Sequence, residues 1–376
     1  MSDGPPTDDM SDPDTGQETR PQSPAPWWVY HGDGRQMAAR DLDDVLMVPP
    51  PWRDFKGGPL QDRPAEDEAE TTRRIGPPLR DGDPRRPVNV DEADMVNAAL
   101  YLRRPLLVTG RPGTGKSSLA YRVARELRLG RVLRWPITTS TTLKSGLYEY
   151  DAIGRAQDAA AHRAAVEARH PLPADGLTNA GPAAVGDYVR LGPLGTSLLP
   201  YRLPRVLLID ELDKSDIDLP NDLLNIFEEG EYDIPELVRI ASREPAADVL
   251  TSDPGMKATI TGGRVRCRAF PLILITSNGE KEFPPALLRR CLRLELPPPD
   301  TEQLAAMVAA RFGPRAGARG EELVRLFASR SAREGGLSAD QLLNSVHLAT
   351  SDGFEEDEHW SRLVDSLWRS LDTTRP

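Results

Sequence analysis

Cysteine is nearly absent: the 376 residues contain two, Cys267 and Cys291. Both lie in apolar, strand-like settings, with no CxxC spacing and no other soft ligands nearby. A disulfide framework is therefore excluded, and the pair reads as buried thiols in a reducing compartment. Long apolar runs are missing too. No stretch reaches the length a bilayer demands, and the opening Met-Ser-Asp-Gly-Pro-Pro carries neither a basic nor an apolar signal region. Membrane spanning and secretion are set aside, and the expected location is cytoplasmic. Positive charge is in deficit, 47 Lys and Arg against 58 Asp and Glu, for a net charge of −11. This argues against broad charge-driven binding to nucleic acid or anionic membrane, while leaving room for a local basic channel.

What the chain does contain is unevenly spread. Its length suggests two or three domains with ample core. Residues 1 to about 25 are rich in Pro, Asp, Ser and Thr and have too few large apolar groups to order themselves. Residues 1–87 as a whole read as a Pro-rich, disordered N-terminal region. Within it lie two aromatic docking segments, Pro-Trp-Trp-Val-Tyr-His at 26–31 and Pro-Pro-Pro-Trp-Arg-Asp-Phe at 49–55, and a linker at 57–88. Aromatics bunched this way call for a surface, either the chain's own core or another protein. An α/β domain is expected over 88–298, with a helix over Asp91–Leu102 and strands near 106–109, 131–137, 205–209, 270–275 and 291–296. Two of these strands are nearly continuous apolar runs, as in parallel sheets covered on both faces. The regular alternation lapses at 138–200, which reads as an insertion. Residues 299–376 show helical spacing and no strand signal, the pattern of a small helical domain behind a proline-stiffened hinge.

The most specific signal is Leu106-Leu-Val-Thr followed by Gly110-Arg-Pro112-Gly113-Thr114-Gly115-Lys116-Ser117-Ser118 and a helical pattern. Glycines let backbone N–H groups turn inward around phosphate oxygens, while the next helix aims its positive end at them. Lys116 is placed to reach the β- and γ-phosphates of ATP, and Ser117 to ligate Mg2+. The run Val206-Leu-Leu-Ile-Asp210-Glu211 ends a buried strand on two carboxylates: Asp210 for the Mg2+ shell, Glu211 to activate water. A third strand ends on Thr276-Ser-Asn278. Asn278 is a candidate sensor of the γ-phosphate, with a turn-forming role in Asn278-Gly279 as the alternative. Finally, Pro285-Ala-Leu-Leu-Arg289-Arg290 closes a short helix. Arg290 first, and Arg289 second, are candidates for an arginine acting on a neighbouring subunit's phosphate. Their alternative role is stabilising the helix dipole.

These four elements, in this order, resemble the AAA+ ATPases. The wording around Ile209-Asp-Glu-Leu-Asp-Lys-Ser-Asp216, Phe227-Glu-Glu-Gly-Glu-Tyr-Asp-Ile-Pro235 and Thr276–Cys291 is similar to the MoxR/dynein-related branch, over about residues 88–350. The resemblance implies a P-loop α/β domain with a helical lid, Mg2+-dependent ATP hydrolysis and a hexameric ring oligomer. It also implies pore-facing insertions, the second of them supplied here by 236–268, and a protein client, with von Willebrand A-type partners common and some members serving bacterial conflict systems against phage. It further implies a basic second sensor near the start of a late lid helix. The matching stretch here is Gly335-Gly-Leu-Ser-Ala-Asp340, with Arg330 and Arg333 upstream. A nucleic-acid motor stays open only through Arg264, Arg266 and Arg268.

Overall fold

Alternation of side chains along the strands explains the architecture. In the computed structural model, which describes residues 25–38, 42, 46, 48–80, 85–168, 184–334, 337–351 and 358–368, five strands form the central sheet. They are β1 (Leu106–Thr109), β2 (Leu133–Pro136), β5 (Val206–Asp210), β10 (Leu272–Ser277) and β11 (Leu292–Glu295). Their order is β11-β1-β10-β5-β2, and every pairing is parallel. Leu107, Leu207, Ile209, Ile273 and Ile275 enter one apolar core, while Leu106, Val108, Val206, Leu208, Leu272 and Leu274 enter the other. Period-2 alternation into two cores is what a sheet covered on both faces requires.

The insertions are not separate loops. Residues of the first form β3 (Tyr148–Tyr150) and β4 (Val189–Leu191), and residues of the second form β7 (Ala246–Leu250) and β8 (Lys257–Thr261). Together they make one sheet of order β3-β4-β7-β8. A smaller antiparallel pair joins β6 (Glu231–Asp233) to β9 (Arg264–Arg266).

One buried ion pair staples the second sheet to the first. Arg205, at the foot of β5, donates to both carboxylate oxygens of Asp253 at 2.8 and 2.9 Å, to the Arg131 carbonyl at 3.1 Å and to the Tyr201 hydroxyl at 3.2 Å. The side chains are 0% and 1% exposed. Asp253→Ala would strand the guanidinium without a counter-charge and is expected to destabilise the fold by about 3–5 kcal/mol. Chemical denaturation measures this; an unchanged midpoint would show that the pair is not holding the sheets together.

The N-terminal region departs from expectation. Its tail before residue 25 lies outside the described residues, but the aromatic segment 26–31 folds back on its own core. Asn97 Oδ1 accepts from the Val29 and Tyr30 amides at 2.7 and 3.0 Å, and Trp28 Nε1 donates to Asp94 at 2.8 Å. Amides of His31, Gly32 and Gly34 donate to the buried Glu126 carboxylate, whose burial pushes its pKa up to about 7. The expected linker at 57–88 instead contains a helix, Glu68–Ile75, begun by an Asp67 side-chain cap. This helix lies between the P-loop helix and the C-terminal domain. Arg125 donates to the Gly76 carbonyl at 2.7 Å, and Arg311 donates to the Arg73 and Arg74 carbonyls at 3.2 and 2.7 Å. The charge-rich composition that reads as linker is therefore spent on helix caps and ion pairs.

The C-terminal helices Thr301–Phe312, Gly317–Glu334, Ala339–Ala349 and Glu358–Leu367 share a core of their own, including Leu304, Val308, Phe327, Leu342, Val346 and Trp368.

Candidate active site

Three parallel strands deliver their polar tips to one sheet edge. Because β10 lies between β1 and β5, Asn278 emerges between the P-loop that follows Thr109 and the Asp210-Glu211 pair. The loop turns through left-handed glycines, with φ 79° at Gly113 and 87° at Gly115. Gly115 leads into the helix Lys116–Glu126, which buries Leu119, Ala120, Val123 and Ala124. Lys116 Nζ folds over the loop and donates to the Gly110 and Arg111 carbonyls, both at 2.8 Å. Burial lowers its pKa, against the opposing pull of Asp213, Glu211 and Asp210. Pro112, Thr114 and Ser118 complete the loop, Thr114 Oγ1 bonding back to the Arg111 carbonyl at 3.0 Å.

Asp210 is the electrostatic centre. Its Oδ1 accepts from Ser117 Oγ at 2.7 Å and Thr276 Oγ1 at 2.9 Å, and its Oδ2 from Arg134 Nη2 at 2.8 Å and Nε at 3.1 Å. Burial would raise the carboxyl pKa, but these hydrogen bonds and the Arg134 charge outweigh it and hold the group ionised. The donor set fits a hard cation. Ser117 spends its hydroxyl hydrogen on Asp210, which leaves its oxygen lone pairs available to Mg2+ beside an ionised carboxylate.

Glu211 adopts φ 62° and ψ 52°, an uncommon conformation for a non-glycine residue. Its amide donates to Thr276 Oγ1 at 2.8 Å, and its carboxylate accepts from Lys214 Nζ at 2.7 Å. Asn278 is held through its backbone: buried Asp213 accepts from the Asn278 amide at 2.9 Å and the Glu280 amide at 3.1 Å. Its side chain is half-buried and has no hydrogen-bond partner among the described residues.

Arg289 and Arg290 lie elsewhere. They end the helix Pro285–Arg290, just ahead of β11, and Leu292 of β11 is in register with Leu106 at the start of β1. The P-loop follows the other end of β1. At about 3.3 Å per residue, the four residues of β1 alone separate the two by roughly 13 Å. Arg290 Nε donates to Glu228 at 3.2 Å, whereas the Arg289 side chain is exposed and has no partner among the described residues.

Sequence reasoning missed Arg134, Thr276 and Asp213. Thr276 and Asp213 sit inside motifs already recognised, but Arg134 lies on an edge strand with no local signal. The second-sensor stretch is described in part. Gly335 and Gly336 lie outside the described residues. Ser338 caps the helix Ala339–Ala349 directly over the P-loop, such that a methyl group on Gly113 would fall 2.5 Å from Ser338 Oγ. The first turn of that helix carries Asp340 and no basic residue. Arg330 bonds Asp365, and Arg333 reaches the Ser329 carbonyl at 3.4 Å. The basic run on β9 is matched by acids, Arg264 to Asp233 at 2.8 Å and Arg266 to Glu231.

A parallel sheet with a glycine-rich loop after one strand and paired acids at the tip of another defines a P-loop NTPase domain. The comparison with known families narrows the class. Residues 105–291 match the model of the AAA domain, dynein-related subfamily. The α/β part of the chain is thus an AAA+ domain, of a family of ATP-hydrolysing P-loop NTPases. No curated protein matches the chain.

Proposed function

We propose that this protein is a MoxR-like AAA+ ATPase that hydrolyses ATP at sites shared between neighbouring subunits of a ring, and so remodels, activates or assembles a partner protein. The observation that carries this reading is the separation of the two halves of the site. Gly110–Ser118, Asp210, Glu211 and Asn278 meet at one end of the sheet, while Arg289 and Arg290 lie at the other. An arginine there acts on a phosphate only if a second copy supplies the P-loop.

In this reading Lys116 and the loop amides hold the β- and γ-phosphates. Ser117 and Asp210 hold Mg2+, which when bound neutralises charge on the phosphate oxygens. Glu211 takes the proton of the attacking water, and Asn278 orients that water. The contact of Ser338 with the P-loop gives the lid a route to feel the nucleotide, and lid movement would be passed to the inserted sheet. The client would be a protein, of which a von Willebrand A-type partner is one form, and the setting the cytoplasm. The acid-matched arginines of β9 favour a protein over a nucleic acid.

The Lys214–Glu211 contact favours a second reading, a nucleotide-switched scaffold of a conflict system in which the base is restrained and hydrolysis slow. Light scattering with and without ATP, followed by capture of partners on a Glu211→Gln ring, tests the first. ATP-dependent assembly and client-stimulated turnover are expected. A chain that hydrolyses ATP at full rate as a monomer would overturn the shared site, and assembly without stimulated turnover would favour the scaffold.

A further inference from the structure

Residue 53 lies well outside the matched stretch 105–291, yet it is built into the corner that carries Arg290. In the segment 49–55, Trp52 is 79% exposed whereas Arg53 is 7% exposed. The Arg53 guanidinium reaches beneath the last turn of the helix Asp218–Glu229. There it donates to the Phe227 carbonyl and to the Glu228 carbonyl, the latter at 3.4 Å, where the helix presents its negative end. It lies over the Phe270 ring at 5.7 Å, against which Phe55 stacks at 5.6 Å. Two residues further on, a methyl group at Gly57 would fall 2.0 Å from the Arg266 carbonyl oxygen, so the segment is held close to the core. Arg53 Nη2 is 3.8 Å from the Glu228 carboxylate, which also accepts from Arg290 Nε at 3.2 Å.

The atom by which Arg290 is held decides what this contact does. A latch that withdrew the arginine would engage its terminal nitrogens. Here Glu228 takes Nε, Nη1 makes only a 3.5 Å contact with the Ala286 carbonyl, and Nη2 has no partner among the described residues. Nη2, the terminal nitrogen without a partner among the described residues, is thus left to meet a phosphate while the tether sits on Nε. Arg104, from the turn before β1, fixes the backbone by donating to the Arg290 carbonyl at 3.0 Å and to the Arg289 carbonyl.

We propose that Arg53 and Glu228 are positioning residues for the reaction. Arg53 fixes Glu228, and Glu228 orients Arg290 toward the nucleotide of the adjoining subunit, so that an N-terminal element outside the AAA domain sets the activity of the next site. This inference rests on the trans-acting role of Arg290 given above.

The test is steady-state ATP hydrolysis by full-length variants. Glu228→Ala is expected to lower kcat about tenfold with KM unchanged, because the subunit's own P-loop lies at the far end of the sheet. Glu228→Gln, whose amide oxygen still accepts from Nε, is expected to restore most of the rate. Arg53→Met, which keeps packing on Phe270, is expected to lower kcat about threefold. On an Arg290→Lys background, which has no Nε fork to orient, Glu228→Ala is expected to cost less than about twofold. Equal losses on both backgrounds, a change confined to KM, or full activity of Glu228→Ala would each overturn the positioning role. If Arg290→Ala itself retains full kcat, the trans-acting arginine falls and this inference with it. If Arg290→Ala is inactive while Glu228→Ala is normal, only the positioning role falls.

Discussion

Glu211→Gln is expected to bind ATP within a few-fold of the parent chain and to release phosphate about 10²–10³-fold more slowly. The substitution isolates one property. Gln has the same shape, and its amide oxygen can still accept from Lys214, which now sits 2.7 Å from the carboxylate. The strained backbone at φ 62° is held by the Thr276 hydroxyl at 2.8 Å, through an amide that the change does not touch. In the proposed reading phosphate binding belongs to Gly110–Ser118, so affinity has no reason to fall. What disappears is a carboxylate able to accept the proton of an attacking water. Equilibrium binding of a fluorescent ATP analogue and steady-state phosphate release measure the two properties separately. Unaltered release would remove Glu211 from the role of base, and a parallel loss of binding would show that the residue shapes the loop instead.

The candidate nucleotide site was largely legible because its signals are local. A glycine spacing, a Lys-Ser pair and two acids after an apolar run each name their own chemistry, and each stands at a strand end that the apolar pattern already marks. Arg134 was not legible, since its meaning comes from the pairing of β2 with β5, which places its guanidinium on Asp210. Long-range pairing hid the second sheet in the same way. Its strands are three to five residues long and come from two insertions, so neither half shows enough alternation to be read alone. The segment at 57–88 misled for another reason. Its prolines, glycines and charges are those of a linker, but Asp67, Glu70, Arg73 and Arg74 act as caps and ion pairs of a short helix whose stability comes from its neighbours.

Arg290→Ala is expected to lower kcat about 10³-fold in a homogeneous preparation, the scale on which a charge stabilising the γ-phosphoryl acts. The geometry makes the location of the defect testable. Since Arg290 stands at the opposite end of the sheet from its own P-loop, an Arg290→Ala subunit keeps a complete binding and base site but offers nothing to its neighbour. A Glu211→Gln subunit has the reverse defect: no base, but an intact arginine. Mixing the two in equal amounts pairs an intact site with an intact arginine at roughly a quarter of the interfaces of a head-to-tail ring. Phosphate release by the mixture should therefore exceed that of either variant alone by far more than their average. No gain on mixing, with both proteins folded and assembled, would sink the shared site. Arg289, exposed and without a partner among the described residues, supplies the remaining discrimination. If Arg289→Ala is inactive and complemented by Glu211→Gln while Arg290→Ala is not, the trans-acting role passes to Arg289. The ion pair of Arg290 with Glu228 would then be a fastening of the helix end.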